Sequence, residues 1–250
     1  HPARPATTIG AMSEGYRPDE PVSELRHVPI NDNGEPLVDF LENCPELLHD
    51  APRFKYKRAT VVRASVADML CQAAHNLPSE YRLAILEGWR PLYIQRRMFE
   101  FSKQVIRGRN PGLNDDEVQV MAETYSAPIS NEVPPPHSTG GAVDLFLCDA
   151  NGNRLDLMEG YEPMDTEGFE WNAPRLTDRA REWREVLRKA MEPTGMTNYP
   201  TEYWHWTYGD QGWAYRGGRP HALYGPTEPA GWTPDPGDDA EGPVEWIGDV

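Results

Sequence analysis

Proline occupies 25 of the 250 positions, about twice its usual share. Each proline fixes its own φ, removes a backbone donor and pushes the residue before it toward extended geometry. A chain punctuated this often must be built from short elements joined by fixed turns. Between the prolines the apolar pattern follows two periods. "SVADMLCQAAHN", Ser65 to Asn76, has apolar residues at 66, 70, 73 and 74, a helical period opened by a serine in position to cap it. "RLAILEGWRP" reads as a short buried strand ending in a turn at Gly88, with Pro91 starting a helix through "LYIQRRMFEFSKQVI".

Asn114 to Tyr125 is predicted helical, with "NDDE" as its acidic N-terminus. "AVDLFLCD" is a strand closed by a turn at "ANGN", and Leu176 to Met191 is a charged amphipathic helix. "EYWHWTYG" followed by "WAYR" reads as a closing β-hairpin. Helices and strands mix without regular βαβ alternation, so the expected class is α+β, a small antiparallel sheet with flanking helices. Residues 1–25 form an N-terminal extension without apolar period, and 26–225 form one domain. Residues 226–250 are an acidic Pro/Gly-rich tail with seven acids and no base. Trp232, Trp246 and Ile247 make that tail draped over a surface rather than free.

The formal charge of −16, with 24 basic residues against 40 acidic ones, argues against nucleic acid, because neutralising phosphates needs clustered Lys and Arg. No apolar stretch approaches the length of a membrane span, and no basic segment precedes an apolar run near the start. The expectation is a cytoplasmic protein with no membrane partner; its oligomeric state is not legible. Cys44, Cys71 and Cys148 show no C-x-x-C spacing, so neither a disulfide framework nor a cysteine zinc site is expected.

Two of the seven histidines keep company that suggests metal. His137 follows three prolines in "PPPHSTGGAVD", and Asp144 comes seven residues later on a strand; the glycines between give the backbone room to turn. His205, in "YPTEYWHWTYGD", can supply a third ligand, completing two imidazoles and a carboxylate with one position open for water. Glu202, three residues before His205, is placed to act as a base beside the metal without ligating it. Residues three apart on an ideal strand face opposite ways, so a bulge or the turn at Pro200 must re-aim Glu202. Arg90, at a strand end, carries a guanidinium that stays charged and can stabilise an oxyanion.

"EGWRP", "HSTGGAVD" and "TEYWHW", in that order, resemble the zinc D-alanyl-D-alanine dipeptidases. The resemblance spans residues 87 to 208 and extends through "TNYPTEYWHWTYGDQGWAY". It implies one Zn2+ per chain held by His137, Asp144 and His205, Glu202 as general base and then acid, and Arg90 on the tetrahedral intermediate. It also implies a small D-configured dipeptide as substrate, D-Ala-D-Ala first, a building block of peptidoglycan whose removal underlies glycopeptide resistance.

Pro135 stands where the family commonly has serine, and Thr139 where an arginine is often found. Pro135 and Ser138 are the candidates at the substrate end of the pocket. "MDTEGFEW" resembles the segment that supplies a carboxylate to the substrate ammonium, with Glu170 the first candidate and Glu167 the second. Glutamate in place of the more usual aspartate narrows a pocket by one methylene, worth about 1–3 kcal/mol in discrimination. Two alternatives stay open: a related carboxypeptidase or endopeptidase acting on cell-wall peptides, and a non-catalytic binding module with a structural zinc.

Overall fold

A computed structural model describes residues 20–162 and 165–248. Most of the expected N-terminal extension, residues 1–19, lies outside the described residues. The described residues open with a short helix, α1 (Val22–Leu25), then β1 (Leu37–Asp39), α2 (Phe40–Asn43), β2 (Leu48–His49) and β3 (Val61–Arg63). Helix α3 (Ala64–Asn76), β4 (Tyr81–Glu87), α4 (Leu92–Arg109) and α5 (Asp115–Tyr125) lead to the long strand β5 (Ala142–Asp149). Helix α6 (Asp178–Met191), β6 (Thr197–Tyr199), β7 (Glu202–Thr207) and α7 (Gln211–Arg216) complete an α+β architecture.

Five strands form the main sheet in the order β2-β4-β5-β7-β6, antiparallel except for the parallel pair β2 and β4. Alternation along β5 assigns its two faces. Val143, Leu145 and Leu147 are buried with Leu83 and Ile85 of β4, Leu70 of α3 and Leu187 of α6. Asp144 and Phe146 turn the other way and line a cavity. The sheet therefore has a helix-covered core face and a cavity face.

Local chemistry sets several boundaries. Asn114 and Glu117 form a reciprocal capping box at α5, each side chain accepting from the other's backbone N–H, at 3.0 and 2.9 Å. Pro91 stands at the N-cap of α4. The expected serine cap on α3 is corrected: the helix starts at Ala64, before Ser65, and Arg63 at the N-cap makes no side-chain cap bond. The Ser65 N–H instead donates to the Glu35 carboxylate, brought in from the segment before β1.

The expected strand at "WAYR" is also corrected, because these residues lie in α7. Gly209, at φ +76°, ends the strand, and the Asp210 side chain accepts from the Trp213 N–H at 2.7 Å to start the helix. The hairpin partner of β7 is β6, on its N-terminal side.

The acidic tail docks on α4 and on the segment around Phe54. Val244 packs on Ile94 and Met98 of α4, and Trp246 bridges to Phe54. Arg97 donates to the carbonyls of Gly237, Asp238 and Pro243, and Lys55 pairs with Glu245. Among the described residues no helix is long and apolar enough to cross a membrane.

Arg184 of α6 is buried and donates to the carbonyls of Leu157, Gly168, Glu170 and Trp171 at 2.8, 2.7, 2.5 and 3.0 Å. Burial lowers its pKa to about 10. Arg184→Met leaves these carbonyls unpaired and is expected to cost about 3 kcal/mol in urea unfolding; an unchanged midpoint would show that the 157–171 loop does not depend on it.

Candidate metal centre and active-site cavity

Register on the main sheet brings three acidic or basic side chains into one row: Glu87 of β4 pairs with Asp144 of β5, and Asp144 with His205 of β7. Glu87 reaches this row through a bulge. Leu83 and Ile85 face the core, so unbroken alternation would send Glu87 there as well; a register shift between Ile85 and Glu87 adds one residue and turns the carboxylate to the cavity.

The second irregularity re-aims Glu202. Tyr199 pairs with Glu202, but the next residue back, Asn198, pairs with Trp206, so three residues of β7 bulge out. The Asn198 amide donates to the carbonyls of Glu202, Tyr203 and His205 at 3.0, 3.3 and 3.0 Å. One amide thus ties together the backbone on both sides of the bulge. Glu202 and His205 consequently line the same cavity, resolving the parity conflict posed by their spacing.

His137 arrives from a 3-10 turn, Pro136–Thr139, that leads into β5. Gly140 follows it at φ +72°, and a Cβ on Gly141 would sit 2.4 Å from the Tyr208 carbonyl, so both glycines are required by geometry. Arg63, itself buried, donates to the carbonyls of Thr139, Glu35 and Gly225 and pairs with Asp32 at 2.9 Å, fixing the end of the turn.

The ligating atoms of His137, Asp144 and His205 all lie within 4.8 Å of one another, and all three residues are buried. His137 Nδ1 is held by the Gly88 carbonyl at 2.8 Å, so Nε2 faces Asp144 Oδ2 at 3.3 Å. His205 Nδ1 lies 2.9 Å from Asp144 Oδ1. A tetrahedral ion with N and O ligands places donor atoms about 3.3 Å apart, so the donor set and its spacing fit a metal. The Gly88 contact supplies the orienting partner that metal-binding imidazoles need.

Electrostatics follow from burial and pairing. Burial opposes the Asp144 charge, but His137 and His205 outweigh it and hold the carboxyl well below the usual range. Burial lowers the pKa of His137; for His205 burial is the largest single influence, but the Asp144 hydrogen bond and the charges of Asp144, Glu202 and Asp210 together outweigh it and raise the pKa. Glu202 touches the cavity but sits deep in the molecule, and that burial pushes its pKa up to about 7. Arg90 is largely buried, its side chain 11% exposed, yet Glu87, Tyr56 and Asp144 keep its charge firmly in place. Its Nη2 lies 3.4 Å from both Glu87 and Asp144, and Nη1 donates to Gln95 at 2.8 Å. Tyr56 in turn donates to Glu87.

The five residues expected at the centre, His137, Asp144, Glu202, His205 and Arg90, all line one cavity of about 980 Å3. The others do not. Glu167 is exposed and pairs with Arg175 at 3.0 Å, and Glu170 is exposed; Thr166 and Phe169 of that segment line the cavity instead. Ser138 and Thr139 spend their hydroxyls inside the turn, on the carbonyls of Pro135 and Pro136, and Pro135 is buried at its start. Sequence reasoning missed Tyr56, Glu87, Gln95 and Asn198. Glu87 did carry a signal, because a carboxylate in phase with two core residues demands a bulge.

Residues 53–221 match the D-ala-D-ala dipeptidase family, one of metallopeptidases, and the chain belongs to it. A D-alanyl-D-alanine dipeptidase of Synechocystis sp. (strain ATCC 27184 / PCC 6803 / Kazusa) is 26% identical over 244 residues, covering 84% of this chain and 99% of that protein. One from Escherichia coli (strain K12) is 33% identical over 69 residues, 28% of this chain and 35% of that protein. A peptidase of this family acts on a small peptide.

Asn198→Asp keeps the shape but turns an acceptor toward three carbonyls. It is expected to weaken metal binding roughly 10- to 100-fold in chelator competition; unchanged affinity would mean that the bulge holds without it. Glu202, with its pKa raised from 4.5, contributes stability that is present below pH 4.5 and lost as pH rises through about 7. Between pH 5 and 8 the metal-free protein should therefore lose on the order of 2 kcal/mol relative to Glu202→Gln. Parallel urea curves for the two at both pH values would contradict this.

Proposed function

We propose that the protein is a zinc-dependent dipeptidase that hydrolyses D-Ala-D-Ala or a related D-configured dipeptide. The observation that carries this reading is Glu202, a carboxyl tuned to about pKa 7 in the cavity where His137, Asp144, His205 and Arg90 converge. A purely structural metal site has no use for such a base. One zinc ion on His137 Nε2, Asp144 and His205 Nδ1 would supply Lewis acidity, polarising the scissile carbonyl and acidifying the attacking water.

The protein's own groups do the rest. Glu202 takes the proton from the attacking water and passes it to the leaving amine. Arg90, clamped by Glu87 and Gln95, retains donor capacity because its contacts at 3.4 Å are longer than a full charge-assisted hydrogen bond; it steadies the oxyanion. Phe146, Phe169, Tyr203 and Trp204 form an aromatic wall that excludes water and accepts small apolar side chains. The size of the cavity, about 980 Å3, favours as a second reading a peptidase that takes longer cell-wall peptides.

Amine release should be measured on zinc-loaded protein with D,D, L,D and L,L dipeptides and an N-acylated tripeptide. The expected result is selective cleavage of D-Ala-D-Ala, with kcat lowered at least about 100-fold in Glu202→Ala and a comparable loss in Arg90→Lys. Preference for the tripeptide would support the second reading. Near-wild-type turnover by Glu202→Ala would sink both.

A further inference from the structure

Cysteine spacing gives no metal motif, but the fold joins two of the three thiols. Cys44 caps the C-terminus of α2, and Cys71 lies on α3, which packs against it. The Cys44 thiol donates to Glu46 Oε2 at 3.3 Å, and the ligating atoms of Cys44, Cys71 and Glu46 all lie within 4.8 Å of one another. One helical turn beyond Cys71, His75 Nε2 stands 3.8 Å from the other Glu46 oxygen. The sulfurs point inward, Cys44 fully buried and Cys71 partly so, while Glu46 and His75 are exposed. An ion would thus enter from solvent and meet two soft ligands.

We propose that Cys44, Cys71 and Glu46, with His75 as fourth ligand, bind a second divalent cation of the thiophilic Zn2+ or Cd2+ class. Two thiolates select such ions over Mg2+ or Ca2+, and an S2NO set suits tetrahedral coordination. Sulfur ligands of a tetrahedral zinc lie about 3.8 Å apart, so drawing Cys44, Cys71 and Glu46 together takes at most about 1 Å of movement, and the exposed His75 side chain swings in to complete the set. Burial, the neighbouring Cys71 and Glu46 together push the Cys44 thiol up to about 12, so binding must release thiol protons and strengthen as pH rises. Helix α3 covers the core face of the sheet, so this cluster is separated from the His137 centre on the cavity face. The ion would clip the turn after α2 to α3.

The test is a Cd2+ titration of the reduced full-length protein, followed by thiolate-to-metal charge-transfer absorption, to which the His-Asp-His centre contributes nothing. The band should saturate at one equivalent of this class of site, survive in His137→Ala and Cys148→Ser, and vanish in Cys71→Ser. His75→Ala should keep the band while weakening affinity roughly 10-fold or more. Cys71 is only partly buried, so its variant should fold; an unchanged circular dichroism spectrum establishes that. No band in the wild type, a band persisting in Cys71→Ser, or affinity unmoved in His75→Ala would overturn the assignment. Dipeptide hydrolysis is not read in this experiment, so the two proposals fail separately.

Discussion

Asp144 is the group on which the cavity face depends. It is a buried carboxylate that meets His205 through one oxygen and His137 and Arg90 through the other. Burying a carboxylate costs several kcal/mol unless its oxygens are fully partnered. Here the partners come from β7, the turn before β5 and the end of β4, so all must be in register at once. A one-residue slip of β5 would drive Asp144 into the core and Val143 or Leu145 into the cavity. Satisfying one carboxylate thus enforces the alignment of three strands.

The same sheet is regular on one face and interrupted on the other. Its core face keeps strict alternation through Leu83, Ile85, Val143, Leu145 and Leu147. On the cavity face two bulges break it, one delivering Glu87 beside Arg90 and the other Glu202 beside His205. Asn198 braces the second bulge by donating to the carbonyls of Glu202, Tyr203 and His205. Asp144 and His205 stand in register, whereas Glu87 and Glu202 reach the cavity because a bulge breaks the alternation of their strands.

Proline abundance and the carbonyl-binding arginines belong to one balance. A proline keeps its carbonyl but offers no N–H, so a proline-rich loop is short of donors. Arg63, Arg184 and Arg97 each donate to several carbonyls, and Gln211 serves those of Leu25, Val28 and Glu132 in the same way. Multi-donor side chains thereby fix the turn of His137 and the loop that lays Phe169 along the cavity.

The sequence by itself determined the elements whose cause is local: α3 and α6 from their apolar pattern, α4 from Pro91 at its start, α5 from its acidic N-terminus, and β4 and β5 from short apolar runs. The candidates for the centre, His137, Asp144, Glu202, His205 and Arg90, came from three short motifs taken together and their resemblance to the family, because each residue alone has a commoner use in a core or a surface ion pair. Only the tertiary structure decided that Ser65 is not a cap, that "WAYR" is helical, that Glu167 and Glu170 face solvent away from the cavity, and that Cys44 meets Cys71. Periodicity and capping act over a few residues and are written in the chain. Bulges, cross-strand rows and contacts between distant segments depend on which strands pair, and pairing is settled only when the whole core is buried.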